Sequence, residues 1–127
     1  MKSHINFVGV LFLVWGWLSM LVGGMSLMLA AAAALITPPA VVDGPGVSLA
    51  TYVTAATFAV FGLATVMWGA LHAANGMGLR RRRARSRTTA LALGAANLLL
   101  LPFGTALGTY ALWVLLHDEA RRLLNEP

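Results

Sequence analysis

Three polar side chains in otherwise apolar stretches of the chain carry groups that can do chemistry. They are His72, Asn75 and Asn97. Asn75 follows His72 by three residues, and Trp68 precedes His72 by four. Trp68, His72 and Asn75 therefore share one face of a helix. An ionisable group inside a membrane segment is a functional candidate by default. His72 is therefore a candidate haem ligand, proton acceptor or substrate contact.

A structural role accounts for the same residues. A neutral imidazole can hydrogen-bond to Asn97 or to a backbone carbonyl, and an Asn side chain can bridge two membrane helices for about 0.6 kcal/mol. Haem ligation by two histidines needs a second His at a matching depth. His4 and His117 lie near the chain ends, where the sequence identifies no such partner. We therefore predict no cofactor and treat His72, Asn75 and Asn97 as polar intramembrane contacts.

The sequence contains no recognisable catalytic motif. Its carboxylates all fall in loops or in the C-terminal tail: Asp43, Asp118, Glu119 and Glu126. The chain has no Cys, which excludes thiolate chemistry and disulfides. It also has no P-loop, GxSxG or HExxH motif. We predict that the protein is not an enzyme and holds no metal.

Six of the nine basic residues lie within eight positions, between two apolar stretches: Arg80, Arg81, Arg82, Arg83, Arg85 and Arg87. This placement is typical of a cytoplasmic loop under the positive-inside rule and not of nucleic-acid binding. Each basic residue near an anionic surface contributes about 1 kcal/mol. The predicted partners of these arginines are therefore anionic lipid headgroups.

Composition places the supporting elements in a membrane. Hydrophobic residues make up 59% of the 127 and charged residues 10%, with a mean hydropathy of +0.79. Residues 5–36, 47–79 and 88–116 are free of charge, and each stretch exceeds the ~20 residues that cross a bilayer. We predict a helical membrane bundle with a Pro-rich outer linker at residues 37–46 and a cytoplasmic N-terminus and arginine loop.

The third stretch is interrupted near its middle at Pro102 and Gly104, which leaves two alternatives. One is a single helix kinked at Pro102, giving three transmembrane helices. The other is a hairpin with short arms, giving four, and the combined Pro and Gly signal favours it. The leading prediction is a single domain, residues 1–127, with segments at about 5–36, 47–79, 85–101 and 104–124.

Small residues form the clearest repeated pattern. Glycines recur at seven-residue spacing, and one GxxxG follows Pro102. Close approach of membrane helices relies on such residues. The predicted packing positions are Gly62, Gly69, Gly76, Gly104 and Gly108, used either within one bundle or for self-association.

The stretch from Asn97 to Leu116 reads Pro-Phe-Gly-Thr, then Leu-Gly-Thr-Tyr-Ala-Leu-Trp-Val-Leu. It resembles the C-terminal signature of small bacterial polytopic membrane proteins, a group that is mostly uncharacterised. The resemblance covers about a third of the chain, roughly residues 76–116. It implies a bacterial membrane protein and no particular reaction.

These patterns predict a multi-pass protein of the bacterial inner membrane. The leading functional hypothesis is a non-enzymatic accessory or scaffold subunit that self-associates or packs on a larger membrane complex. The alternative is an oligomeric channel or transporter with His72, Asn75 and Asn97 on its pathway.

Overall fold

The structure, a computed structural model, describes residues 2–36, 45–99 and 103–125. These residues form five α-helices and no β-strand, which confirms the predicted all-α class. The helices are α1 (Lys2–Ile36), α2 (Pro45–Arg80), α3 (Ala84–Asn97), α4 (Phe103–Leu116) and α5 (Asp118–Asn125).

Two of these helices, α1 and α2, are long and apolar enough to cross a membrane, judged by length and composition alone. They contain 35 and 36 residues, which corresponds to a length of about 50 Å at helical rise. α2 begins at Pro45 because proline needs no hydrogen-bond acceptor in the first turn of a helix. Most of the predicted Pro-rich linker, residues 37–44, lies outside the described residues.

The two 14-residue helices, α3 and α4, are separate and pack antiparallel. Arg87 Nε donates to the Leu115 carbonyl at 3.2 Å, and Thr105 Oγ1 donates to the Leu98 carbonyl at 3.2 Å. They therefore form a hairpin and not the single long helix of the alternative prediction, although Pro102 itself lies outside the described residues. Each has 14 residues, about 21 Å, so their length does not establish four membrane crossings.

The predicted fourth segment, residues 104–124, is divided at His117 in the structure. Asp118 and Glu119 form the first turn of α5, where acidic side chains interact favourably with the helix dipole. Ala120 and Leu124 are buried on one side of α5. The predicted third segment is shorter than expected, since α3 ends at Asn97 and residues 98–99 form a turn.

Residues 17–70 form one compact unit, in which α1 and α2 run antiparallel. Ser26 Oγ donates to the Phe58 carbonyl at 2.9 Å. A Cβ at Gly23 would lie 2.7 Å from the Gly62 carbonyl oxygen, so the two backbones approach more closely than larger residues allow. Because the described part of this unit, residues 17–36 and 45–70, consists of two helices, most of its large apolar side chains face outward.

The other compact unit combines residues 1–16 with residues 71–127. In its described part, the start of α1 packs antiparallel to the end of α2, and a Cβ at Gly76 would lie 2.6 Å from the Gly9 carbonyl oxygen. Its apolar core comes from α1 to α5: Ile5, Val8, Phe12, Leu79, Ala90, Leu107, Ala111, Val114, Leu115, Ala120 and Leu124.

The turn between α2 and α3 closes with a Schellman motif. Arg83 N donates to the Gly78 carbonyl and Arg82 N donates to the Leu79 carbonyl, both at 3.0 Å. This motif requires a left-handed residue, usually glycine. Arg82 occupies the position with a φ of 51°, so the arginine loop contains a locally strained backbone.

Candidate functional site

His72 and Asn97 form a hydrogen-bonded pair inside the unit of residues 1–16 and 71–127. Asn97 Nδ2 lies 2.9 Å from His72 Nε2, and both side chains are 0% exposed. The amide donates when the neutral imidazole carries its proton on Nδ1. The Phe12 ring stacks on the imidazole, with ring centroids 5.3 Å apart. The pair joins α2 to α3, which is the structural alternative raised for His72.

One atom of this pair has no partner. Asn97 Oδ1 is buried and accepts no hydrogen bond from the described residues. A buried carbonyl oxygen without a donor costs about 1–3 kcal/mol. Rotating the amide by 180° would let Oδ1 accept from Nε2–H of the other imidazole tautomer, so the pair can adapt to either tautomer.

Asn75 belongs to a second polar cluster between α2 and α3. With its amide oriented to satisfy both ends, Asn75 donates to Thr89 Oγ1 at 2.6 Å and to the Ser86 carbonyl at 3.1 Å, and accepts from Ala90 N at 3.1 Å. Asn75 and Ser86 are buried. All three predicted polar residues thus join α2 to the start or end of α3.

These contacts favour positioning over reaction chemistry. The paired groups are an imidazole, amides and hydroxyls, and no carboxylate lies among them. The described residues contain no group of three or more His, Asp or Glu side chains that could hold a metal ion. This arrangement joins two helices through one fully buried polar pair, His72 with Asn97, and through a partly buried contact between Asn75 and Thr89.

The predicted lipid-binding arginines have three different surroundings. Arg87 is half-buried and donates to the Leu115 carbonyl. The side chain of Arg80 packs against Gly9, where an added Cβ would lie 2.9 Å from Arg80 Cγ. All six except Arg87 are exposed, and two of the exposed ones line a groove between α2 and α3: Arg83 and Arg85.

The predicted packing glycines are all buried. Gly62 and Gly76 face carbonyls of α1, as described above. In the hairpin, a Cβ at Gly108 would collide with the Gly94 carbonyl oxygen and would lie 3.2 Å from Leu98 N. At least three of these glycines therefore serve contacts within one chain.

A cluster of rings that the sequence analysis did not identify joins the start of α1 to the end of α4. His4 Nδ1 lies 3.0 Å from Tyr110 Oη, Phe7 meets Tyr110 edge-on at 5.8 Å, and Trp113 lies 6.3 Å from His4 and 5.9 Å from His117. The sequence placed His4 and His117 only near the chain ends, whereas the structure brings both imidazoles close to Trp113. This proximity depends on how α1 packs against α4, which no local sequence pattern indicates.

Comparison of the chain with models of known protein families, with curated proteins and with solved structures finds no match. The resemblance of the C-terminal segment to small bacterial membrane proteins therefore stays a prediction.

Proposed function

We propose that this chain is a non-enzymatic integral membrane protein, an accessory or scaffold subunit that self-associates or packs on a larger complex in the bacterial inner membrane. The observation that carries the proposal is the outward-facing apolar surface of residues 17–70. In the candidate membrane span of α2, 6% of the most apolar window is buried. A surface of this kind needs lipid or protein around it.

The polar groups of this surface support the same environment. The hydroxyls of Thr54, Thr57 and Thr65 are exposed, yet each donates to a carbonyl four residues earlier in its own helix, at 2.7–2.8 Å. Such bonds satisfy a hydroxyl where water is absent. The hydroxyls of these three threonines therefore have their donors satisfied within α2 itself.

We further propose four crossings, with the N-terminus and arginine loop in the cytoplasm. The α3–α4 hairpin favours this topology because it returns the tail, with Arg121 and Arg122, to the side of Arg80–Arg87. Arms of about 21 Å cross a ~30 Å core only if the bilayer thins or flanking arginines snorkel.

The subunit role is favoured over a conduit because the polar residues are engaged in internal contacts. A channel needs polar side chains that line a pathway. His72 and Asn97 instead bind each other, and Asn75 binds Thr89 and Ser86. The apolar outer surface is what remains for interactions with other molecules.

Photo-cross-linking in native membranes tests the proposal, because a benzophenone side chain inserts into C–H bonds and needs neither water nor a thiolate at the site. Benzoylphenylalanine at position 60 replaces Val60 on the outward face of residues 17–70, and the same replacement of Leu116 is a matched control in the other unit; the native side chains are 68% and 62% exposed. We expect illumination to link position 60 into a dimer or into an adduct with one recurring larger protein, and to form neither product at position 116.

A different product at position 60 would contradict the proposal. If the benzophenone there forms lipid adducts and no protein cross-link, this face meets lipid alone. The same result at Leu21 on α1, together with a monomeric mass of 13.4 kDa in mild detergent, would refute the subunit role.

A further inference from the structure

The groove between the end of α2 and the start of α3 changes from charged to apolar along its length. Arg83 and Arg85 lie at one end, and Leu71 and Leu93 line the other. Leu93 is ten residues beyond Arg83, which is about 15 Å along a helix. The groove holds about 450 Å³, within the usual range for ligand sites.

The charge of the groove comes from its arginines. Both side chains are exposed, and the lining residues in the described part of the chain include no acidic side chain. Arg83 is also the N-cap of α3, and no side chain caps this end of the helix. The free backbone N–H groups and the helix dipole at this end favour an anion. Two guanidiniums beside them offer the planar donors that suit a phosphate group.

The floor of the groove adds no further charge. Asn75 and Thr89 line it and are already hydrogen-bonded to each other. A ligand therefore meets cationic donors at one end, a neutral floor along the middle and aliphatic side chains at the other end. A phospholipid has the matching order of a phosphate, a glycerol ester region and an acyl chain.

We propose that this groove binds one anionic phospholipid, with its phosphate at Arg83 and Arg85 and one acyl chain between α2 and α3. The inference depends on the chain lying in a membrane, as proposed above, and not on its role as a subunit. It differs from general attraction to the arginine loop because it assigns the contact to two of the six arginines and to an apolar wall.

The test uses the full-length protein in mild detergent, with native mass spectrometry and melting temperature as readouts. Dioleoyl phosphatidylglycerol is the anionic probe, phosphatidylcholine the zwitterionic control, and glycerol 3-phosphate the headgroup without chains. At about fivefold per basic residue, we expect phosphatidylglycerol to bind about 25-fold more tightly than phosphatidylcholine. Glycerol 3-phosphate should neither stay bound nor raise the melting temperature.

Two variants of equal charge separate the groove from the loop. Arg83→Gln with Arg85→Gln should abolish the preference for phosphatidylglycerol, whereas Arg81→Gln with Arg82→Gln should retain most of it. Ala92→Phe, which fills the apolar part of the groove and leaves the charge unchanged, should lower retention of both lipids. Because each double variant is compared between two lipids, a general loss of stability cancels. For Ala92→Phe, an unchanged melting temperature without added lipid excludes such a loss.

Three results would overturn the proposal. Equal losses in the two double variants would indicate surface charge alone. Equal binding of the two lipids by the unmodified protein would exclude headgroup recognition, and stabilisation by glycerol 3-phosphate would indicate a soluble phosphate ligand. None of these results changes the cross-linking pattern, so the failure of this inference is distinguishable from failure of the subunit role.

Discussion

Gly23 and Gly24 are neighbours on α1 with very different surroundings, and they form a matched pair for testing close helix packing. A Cβ at Gly23 would lie 2.7 Å from the Gly62 carbonyl oxygen and 2.8 Å from both the backbone N and Cγ2 of Val66. A Cβ at Gly24 would meet nothing within 4 Å. Two of the atoms facing Gly23 belong to the backbone, so relief of the clash requires α1 and α2 to move apart.

The expected magnitude follows from comparing the two positions. Replacing glycine by alanine inside a helix adds up to about 1 kcal/mol of intrinsic helix stability, and this contribution is shared by Gly23→Ala and Gly24→Ala. Overpacking a tight contact costs about 1–3 kcal/mol. We expect Gly24→Ala to be neutral or stabilising, and Gly23→Ala to be less stable than Gly24→Ala by about 1–3 kcal/mol.

Equilibrium unfolding of the full-length protein in mild detergent, titrated with sodium dodecyl sulfate and followed by circular dichroism, measures this difference. Gly62→Ala is a reciprocal variant whose Cβ would meet the Leu27 side chain at 2.8 Å and the Gly23 carbonyl at 2.9 Å. Because Gly23 and Gly62 share one contact, their effects should not add. Equal stability of Gly23→Ala and Gly24→Ala would show that the helices do not approach closely here.

Three further predictions test other parts of the chain. His72→Leu should destabilise the protein by about 1–3 kcal/mol because it leaves the Asn97 amide unpaired. His72→Gln should cost less, and the double variant His72→Leu with Asn97→Leu should recover part of the loss. Unfolding titrations that rank the three variants differently would contradict the pairing. Arg82→Gly should raise the melting temperature, because a non-glycine residue in left-handed geometry costs about 1–2 kcal/mol. Arg81→Gly should not raise the melting temperature, and equal effects of the two variants would argue against the Schellman turn. A C-terminal reporter that is active only in the cytoplasm should signal if the hairpin crosses the membrane twice, and a signal from a periplasmic reporter would instead indicate an odd number of crossings.

Much of the fold was predictable because it depends on local rules. Charge-free stretches give the two long helices, and Pro with Gly gives the hairpin. The division at His117 was not predicted, because the helical pattern continues through it. Asp118 and Glu119 lie directly after α4 and in the first turn of α5, and acidic side chains are unfavourable at the C-terminus of a helix and favourable at its N-terminus.

The site was predictable in its members and less so in its pairings. His72 and Asn97 were recognisable as isolated polar residues, and hydrogen bonding between them was one of two stated alternatives. The Asn75 contact with Thr89 required the register of α2 against α3, which depends on the turn at Arg82 and on tertiary packing. The meeting of His4 with Tyr110 required the same long-range information, since 106 residues separate them.

The polar side chains on the outer face of residues 17–70 have different partners from the polar side chains buried in the other unit, and this difference determines which substitutions each set tolerates. In the unit of residues 1–16 and 71–127, side chains of different helices bind each other, so exchanging one partner leaves the other unsatisfied. In residues 17–70, threonines on the outer face bind their own helix, so apolar replacements there disturb no partner in the same chain. A sharp loss of assembly on replacing an outward residue such as Val60 by Ala, with stability unchanged, would therefore identify a protein contact, because lipid adapts to the smaller side chain.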